Sequence, residues 1–222
     1  MKSPVWKNLL SYVTEWHIES APSDINPHLY VSLKNGRYQL STANAVYSYG
    51  DLYANFAKSF ATLQPKLKNN MNVLILGFGL GSIPYMLEKK MGFNMYYTGI
   101  EIDENVIYLA DKYVLDELKS PVQLICTDAG AFVAQTEELF DLICMDVFLD
   151  DVVPYQFRQI DFLEQLKERL NLGGLLLFNR LALLPHDREK AQWFFDEKFK
   201  QVFPKGEKLD VGGNWMMIGE GR

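Results

Sequence analysis

The sequence predicts an α/β fold in which a doubly wound, mostly parallel, seven-stranded sheet carries helices on both faces. Two patterns indicate it. From residue 72 onward, short apolar runs such as NVLILG and FDLICMDVF alternate with stretches of helical periodicity, and uninterrupted apolar strands are typical of parallel sheets covered on both sides. The turn GFGLG follows the first run directly, as expected where a buried strand turns sharply into a helix.

Residues 1–70 predict a small appendage to this sheet. An amphipathic helix extends to about Trp16, and Asn35-Gly36 between alternating apolar positions predicts a β-hairpin. Helical spacing from Ser48 to Leu63 predicts a helix that leads into the sheet. We therefore divide the chain into an N-terminal region, 1–70, and a main domain, 71–222.

The second half of the main domain continues the alternation of helices and strands. The pattern predicts a helix over about 156–170, a strand LLLFN after the Gly173-Gly174 turn and a helix over about 187–200. Terminal strands follow near 207–211 and 214–219.

Composition and charge argue against binding to membranes or to nucleic acid. The chain has 222 residues, 48% of them hydrophobic, and no run approaches the roughly 18 to 20 apolar residues of a membrane helix. We expect a cytoplasmic protein that does not bind membranes. The net charge of −6 divides into +3 for residues 1–70 and −9 for residues 71–222. An acidic body disfavours nucleic acid and favours a small cationic or amine partner.

Metal and disulfide chemistry are not expected. Cys126 and Cys144 lie in apolar, β-branched runs and are predicted to be buried strand thiols. His17, His28 and His186 are far apart, and none stands at ligand spacing from a cysteine or another histidine.

The residues that carry chemistry stand at strand ends. Gly77, Gly79 and Gly81 bring backbone N–H groups and a helix N-terminus toward a nucleotide-type ligand. Glu101 ends the second strand about twenty residues later, where a carboxylate accepts ribose hydroxyls. Both features suit NAD as well as adenosylmethionine, although Ser82 replaces the third glycine of a dinucleotide fingerprint.

Two further carboxylates favour adenosylmethionine over NAD. Asp128 ends the third strand and Asp146 the fourth, and the carboxyl ends of strands line the ligand crevice of open α/β sheets. Asn179 and Arg180 end the fifth strand near the same crevice, and the arginine is a candidate partner for an acceptor carboxylate or for Asp146. Asp103 is a candidate crevice residue or the N-cap of the next helix.

An ordered set of motifs covers the chain from about Leu29 to the C-terminus: the hairpin LKNGRYQLS, the loop GFGLG, the strand end GIEID, the pair Asp128-Ala129, the strand end MDVFLDDVVP and the turn LGG. In this order they resemble the spermidine synthase-like branch of the class I S-adenosylmethionine-dependent methyltransferase fold, which is Rossmann-like. The resemblance implies S-adenosyl-L-methionine or its decarboxylated form as the ligand. In the resembling family the hairpin commonly mediates dimers, so a homodimer is one expectation; a hairpin that covers the site is the other.

The resemblance also implies roles for single residues. Gln39 would contact the nucleoside or its side chain, Glu101 the ribose hydroxyls, and Asp128, with Ala129 beside it, the exocyclic amine of adenine. Asp146 matches the family's catalytic aspartate. Chemistry supports that role, because an acceptor amine with a pKa near 10.4 is mostly protonated at neutral pH and needs a carboxylate to accept its proton.

The chain departs from the family where the acceptor should bind. A tyrosine, a histidine and a glutamate of aminopropyltransferases align with Ser48, Tyr49 and Gly50, and Leu149 replaces the second aspartate of D-x-x-D-P. Tyr49 and Asp150 remain the candidate acceptor residues.

We therefore expect a transferase that moves a methyl group to a small acceptor, with Asp146 as the base. Aminopropyl transfer to a polyamine from decarboxylated S-adenosylmethionine is the alternative. An NAD-dependent oxidoreductase or a non-catalytic nucleoside-binding protein is the second alternative. Tyr47, Tyr49 and Tyr53 are candidates for an aromatic wall over a cationic acceptor, or for simple packing.

Overall fold

The computed structural model describes residues 4–26, 28–42, 46–149 and 152–221. They form two sheets. The N-terminal sheet is antiparallel with strand order β1-β2-β3-β4, and the main sheet has the order β10-β11-β9-β8-β5-β6-β7. In the main sheet β11 runs in the direction opposite to the other six described strands. The predicted mostly parallel, seven-stranded α/β fold is confirmed.

The N-terminal region contains one short helix, the four strands of the small sheet and a second helix. Its elements are α1 (Val5–Leu10), β1 (Trp16–Ser20), β2 (Tyr30–Lys34), β3 (Arg37–Ser41), β4 (Val46–Ser48) and α2 (Ala54–Leu63). Asn35 and Gly36 form the predicted hairpin turn with φ of 48° and 72°. The first helix ends sooner than predicted, and Trp16 begins a strand, because α1 buries no residue that would stabilise a longer helix.

The main domain alternates strands and helices as predicted. Its elements are β5 (Asn72–Leu76), α3 (Ser82–Tyr85) with a π-helical turn (Met86–Lys90), β6 (Tyr96–Glu101), α4 (Glu104–Tyr113), β7 (Val122–Cys126), α5 (Ala129–Gln135), β8 (Phe140–Met145), α6 (Ile160–Glu168), β9 (Leu170–Leu181), α7 (Pro185–Phe194) with a π-helical turn (Phe195–Phe199), α8 (Lys200–Val202), β10 (Glu207–Asp210) and β11 (Asn214–Glu220). Helix α6 begins later than predicted, after a 3-10 turn at Tyr155–Arg158.

Side chains of β5 alternate between two hydrophobic cores, one on each face of the main sheet. Val73 and Ile75 join the core formed with α2, α3 and α4, whereas Leu74 and Leu76 join the core formed with α5, α6 and α7. The first core also includes residues of the N-terminal sheet, among them Val31. The small sheet is therefore packed on the main domain, and the division at residue 70 stays a prediction.

Two details differ from the sequence-based expectations. Cys144 is buried, but Cys126 is exposed because it ends β7, the edge strand of the sheet. Arg180 does not reach Asp146, because neighbouring residues of a strand face opposite sides. Its guanidinium instead lies 4.6 Å from the ring centre of Phe194. Within the described ranges, no helix is long and apolar enough to cross a membrane.

Candidate active site

A cavity of about 280 Å³ lies at the carboxyl ends of the central strands. Its floor is formed by the residues that follow β5, β6, β7 and β8, which is where open α/β sheets bind their ligands. Residues of the N-terminal region, including Ile25 and Tyr47, close it from above. The cavity is therefore built jointly by the two parts of the chain.

Glycines let the chain turn at the end of β5 without filling the cavity. Gly77 has φ of 84°, and a Cβ atom there would collide with the backbone carbonyl of Asp146. Gly79 has φ of 55°, and its N–H donates to Oε2 of Glu101 at 3.2 Å. Both line the cavity, and their role in ligand binding stays a prediction. Gly81 instead caps α3 with φ of 78° and is not among the lining residues.

Glu101 is held at the end of β6 by backbone N–H groups. Its Oε1 accepts from Ile102 and Asp103 at 3.0 and 3.2 Å, while Oε2 accepts from Gly79. Burial raises the pKa of this carboxyl, and the three donors oppose that change. Oε1 already accepts two N–H groups, whereas Oε2 accepts one and retains a lone pair, so Oε2 is the oxygen that can accept a hydroxyl group of a ligand.

Asp128 and Ala129 lie at the start of α5 and line the same side of the cavity. Oδ1 of Asp128 accepts from the N–H of Ala131 at 2.9 Å, so the residue caps the helix. Oδ2 accepts from Nε2 of Gln156 at 3.2 Å, and Gln156 also lines the cavity. Asp128 thus has one structural oxygen and one that meets an amide donor at the cavity wall.

Asp146 follows β8 and is the centre of a polar network. Its Oδ1 accepts from Nδ2 of Asn179 at 2.8 Å and from the hydroxyl of Tyr53 at 3.3 Å. Asn179 Oδ1 in turn accepts from Nδ2 of Asn214 at 2.9 Å. Because both bonds to Asp146 end on Oδ1, Oδ2 has no hydrogen-bond partner among the described residues. This oxygen is available to a ligand amine.

Burial raises the pKa of Asp146 to about 7. The hydrogen bonds from Asn179 and Tyr53 lower the pKa, and the charge of Glu101 raises it further. A carboxyl with a pKa near neutrality can both accept and release a proton at physiological pH, which is the property a general base needs.

Several residues of this network were not predicted from the sequence. Tyr53 was assigned to packing or to an aromatic wall, whereas it hydrogen-bonds the central carboxylate. Asn55 and Asn214, which line the cavity, carried no sequence signal. The alternation of β9 could have shown that Asn179, not Arg180, shares the face of Asp146.

Three predicted residues stand away from the cavity or outside the described residues. Gln39 is 5% exposed, donates to Ser41 Oγ at 2.9 Å and is not among the lining residues. The Tyr49 hydroxyl accepts from Nδ2 of Asn35 at 2.8 Å, toward the hairpin turn. Asp150 lies outside the described residues. The binding roles of Gln39, Tyr49 and Asp150 stay predictions.

The charge of the cavity has one sign. Among the described lining residues, the only acidic and basic side chains are Glu101, Asp128 and Asp146, with no lysine, arginine or histidine. Around them the wall is largely apolar and aromatic and includes Tyr47, Tyr53 and Phe148, of which Tyr53 contacts Asp146. Such a cavity attracts a cationic ligand that has an apolar or planar body.

The chain is similar to known proteins in sequence and in fold. The family model described as spermine/spermidine synthase domain matches residues 50–208. A probable polyamine aminopropyl transferase of Bifidobacterium longum is 33% identical over 150 residues, which cover 67% of this chain and 33% of that protein. A polyamine aminopropyltransferase of Vibrio vulnificus is 24% identical over 139 residues, which cover 60% of this chain and 46% of that protein.

The matched regions span between a third and a half of the length of these two curated relatives. Among solved structures, spermidine synthase from Thermotoga maritima superposes with a TM-score of 0.66 at 16% identity, covering 92% of this chain and 72% of that one. At this identity the likeness concerns the fold.

Proposed function

Because the chain belongs to the spermine/spermidine synthase family, we propose that it transfers an aminopropyl group from decarboxylated S-adenosylmethionine to an amine acceptor. The nucleoside of the donor lies between Glu101 and Asp128, and the acceptor nitrogen lies beside Asp146. This revises our expectation of methyl transfer, which rested on the missing polyamine residues. The relatives named above support aminopropyl transfer better. Family membership also disfavours the NAD-dependent alternative.

One observation carries the choice of donor: the described cavity wall holds three carboxylates and no basic side chain. Intact S-adenosylmethionine carries a carboxylate beside its ammonium group, and that carboxylate would have no cationic partner among the described lining residues. Decarboxylation removes this negative charge and leaves the sulfonium and the ammonium, which the acidic wall attracts. The charge balance therefore supports the decarboxylated donor.

The reaction requires little of the enzyme beyond positioning and proton removal. A sulfonium is a good leaving group, so the nitrogen of the acceptor attacks the carbon beside sulfur, the carbon–sulfur bond breaks and methylthioadenosine leaves. The nitrogen loses one proton in the process, and Oδ2 of Asp146 is placed to accept it. Asn179 and Tyr53 hold Oδ1, so the carboxyl stays oriented toward the line of attack.

Donor discrimination tests the proposal. Thermal unfolding is measured with decarboxylated and with intact S-adenosylmethionine at the same concentration. At about a hundred times its dissociation constant, a ligand adds about 2.7 kcal/mol, or roughly 5–10 °C for a chain of this size. We expect this shift with the decarboxylated form and a smaller one with the intact form. A larger shift with the intact form would return the assignment to methyl transfer.

The pH dependence of turnover should report Asp146. The base must be deprotonated to act, and burial raises the pKa of Asp146 to about 7. Because this pKa belongs to the protein without ligand, kcat/KM reports it, and we expect kcat/KM to rise about tenfold for each pH unit below 7 and to level off above it. A pH titration of kcat/KM from 5.5 to 9 checks this. A kcat/KM that is flat between pH 5.5 and 7 would contradict the role of Asp146.

The proposal leaves the acceptor open within the class of small amines. The apolar and aromatic wall of the cavity suits the carbon chain of such an amine, and Tyr53, which contacts Asp146, presents aromatic surface to it. A homodimer and a cytoplasmic location remain part of the proposal. A solution mass near twice 25.6 kDa would support the dimer.

A further inference from the structure

The connection between β1 and β2, described at residues 21–26, 28 and 29, reaches the nucleoside side of the cavity. We call it the covering loop. Its base is closed by a hydrogen bond in which the N–H of Ala21 donates to the carbonyl of Leu29 at 3.0 Å. Farther along the loop, Ile25 and Asn26 line the cavity together with Glu101 and Ile102. The loop thus belongs to the N-terminal sheet but forms a wall of the site.

A single carboxylate fastens the covering loop to the main domain. Oδ2 of Asp103 accepts from Oγ of Ser23 at 2.5 Å and from Nδ2 of Asn26 at 2.7 Å. Its Oδ1 accepts from the N–H of Asn105 at 3.0 Å and caps α4. Asp103 is 2% exposed and Asn26 is 5% exposed, so water does not compete strongly for these bonds.

The hydroxyl of Ser23 also orders the part of the loop that touches the cavity. It accepts from the N–H groups of Ile25 and Asn26 at 3.1 and 2.8 Å while it donates to Asp103. The conformation of the cavity-lining residues is therefore linked directly to the carboxylate. A charged acceptor with two side-chain donors is stronger than a neutral contact of the same geometry.

We propose that Asp103 is a positioning residue for the sulfonium donor, because it fastens the covering loop over the nucleoside side of the cavity. Its backbone N–H donates to Glu101, so one turn of chain carries both the ribose contact and the fastening of the loop. The inference rests on the proposed function insofar as the ligand is an adenosine derivative. When the bonds from Ser23 and Asn26 to Asp103 are lost, the loop covers the cavity only part of the time. The apparent Kd for the ligand is then the intrinsic Kd divided by the fraction of molecules in which the loop is closed.

The test uses Asp103→Ser with 5′-methylthioadenosine as the probe. Serine still caps α4, because its hydroxyl accepts from Asn105, but it lacks the second oxygen that holds Ser23 and Asn26. Asp141→Ser is the matched control. Like Asp103, Asp141 accepts both side-chain and backbone hydrogen bonds: Oδ1 accepts from Nδ2 of Asn171 at 2.7 Å, and Oδ2 accepts from a backbone N–H. Asp141 lies near the start of β8, at the end of the strand away from the cavity.

We expect Asp103→Ser to weaken binding about tenfold by calorimetry and to speed hydrogen exchange at the amides of residues 25 and 26 in the free protein. Asp141→Ser should change neither. Unchanged affinity in Asp103→Ser, or equal weakening in both variants, would overturn the positioning role. If the parent protein binds no methylthioadenosine, the proposed function fails instead, and the exchange comparison alone decides whether Asp103 fastens the loop.

Discussion

Asp146→Asn is expected to lower kcat by about 100- to 10,000-fold with the best amine acceptor, the usual range for loss of a positioned base. Asparagine retains a carbonyl oxygen that accepts from Asn179 and Tyr53. Its amide nitrogen then replaces Oδ2 and offers protons instead of accepting one. Steady-state kinetics at saturating donor and acceptor measure the effect. The inflection of kcat/KM near pH 7 should vanish together with the carboxyl.

The control for this variant is Asp141→Asn, which changes the same residue type at the other end of the same strand. It should turn over within a few-fold of the parent protein. The donor affinity of Asp146→Asn should also stay within a few-fold, because Glu101 and Asp128 hold the nucleoside in the proposed complex. Turnover of Asp146→Asn close to that of the parent would remove Asp146 from the mechanism.

Loss of activity in Asp146→Asn should not come from unfolding. The pKa of this carboxyl is about 7 in the folded protein and near 3.8 in an unfolded chain. The folded state therefore binds the proton more tightly, and the associated stability is full below pH 3.8 and is lost as pH rises through 7. At pH 8 the parent protein holds a buried charge that asparagine avoids. The variant should thus unfold at the same or a higher temperature, as measured by a thermal scan at pH 8.

This opposition between activity and stability explains why both hydrogen bonds to Asp146 end on the same oxygen, Oδ1. An aspartate in this position costs stability at the pH where it is active, and two hydrogen bonds on Oδ1 offset part of that cost. A third bond on Oδ2 would lower the pKa further and stabilise the protein, but it would also occupy the oxygen that accepts the proton. The unpaired oxygen is therefore the functional one.

The fold and the strand-end carboxylates were predictable because chain periodicity alone determines them. Apolar runs identify the parallel strands, and the residue after each run lies at the carboxyl edge of the sheet, which places Glu101, Asp128 and Asp146 in one crevice. The partners of these carboxylates were not predictable in the same way. Tyr53 and Asn214 are distant in sequence and meet Asp146 or its partner only through tertiary packing.

In the N-terminal region, too, local turns were predictable from the sequence and tertiary contacts were not. Asn35-Gly36 identifies a hairpin by local turn chemistry, and the structure contains it. No local pattern indicates that residues 25 and 26, in a connection between strands, form a wall of the cavity. Asp103 illustrates both cases, because its capping role follows from its place before α4, whereas its bonds to the covering loop depend on the packing of two sheets.

Glu101→Gln is expected to weaken binding of the donor and of methylthioadenosine by about 10- to 150-fold. Oε2 of the carboxylate accepts a ribose hydroxyl in the proposed complex, and a hydrogen bond to a charged group contributes about 1.5–3 kcal/mol. Glutamine keeps one acceptor oxygen, and its amide would face the N–H of Gly79, which now donates to Oε2. Isothermal calorimetry with methylthioadenosine measures the loss.

The matched control is Glu104→Gln, an exposed position in the first turn of α4 that does not line the cavity. Its affinity should equal that of the parent protein. Because the amide nitrogen of glutamine cannot accept from Gly79, the unfolding temperature of the ligand-free variant is measured as well, which separates weak binding from a damaged fold. Binding within threefold of the parent would mean that the ribose lies elsewhere. The proposed orientation of the nucleoside, and with it the placement of the sulfonium beside Asp146, would then be wrong.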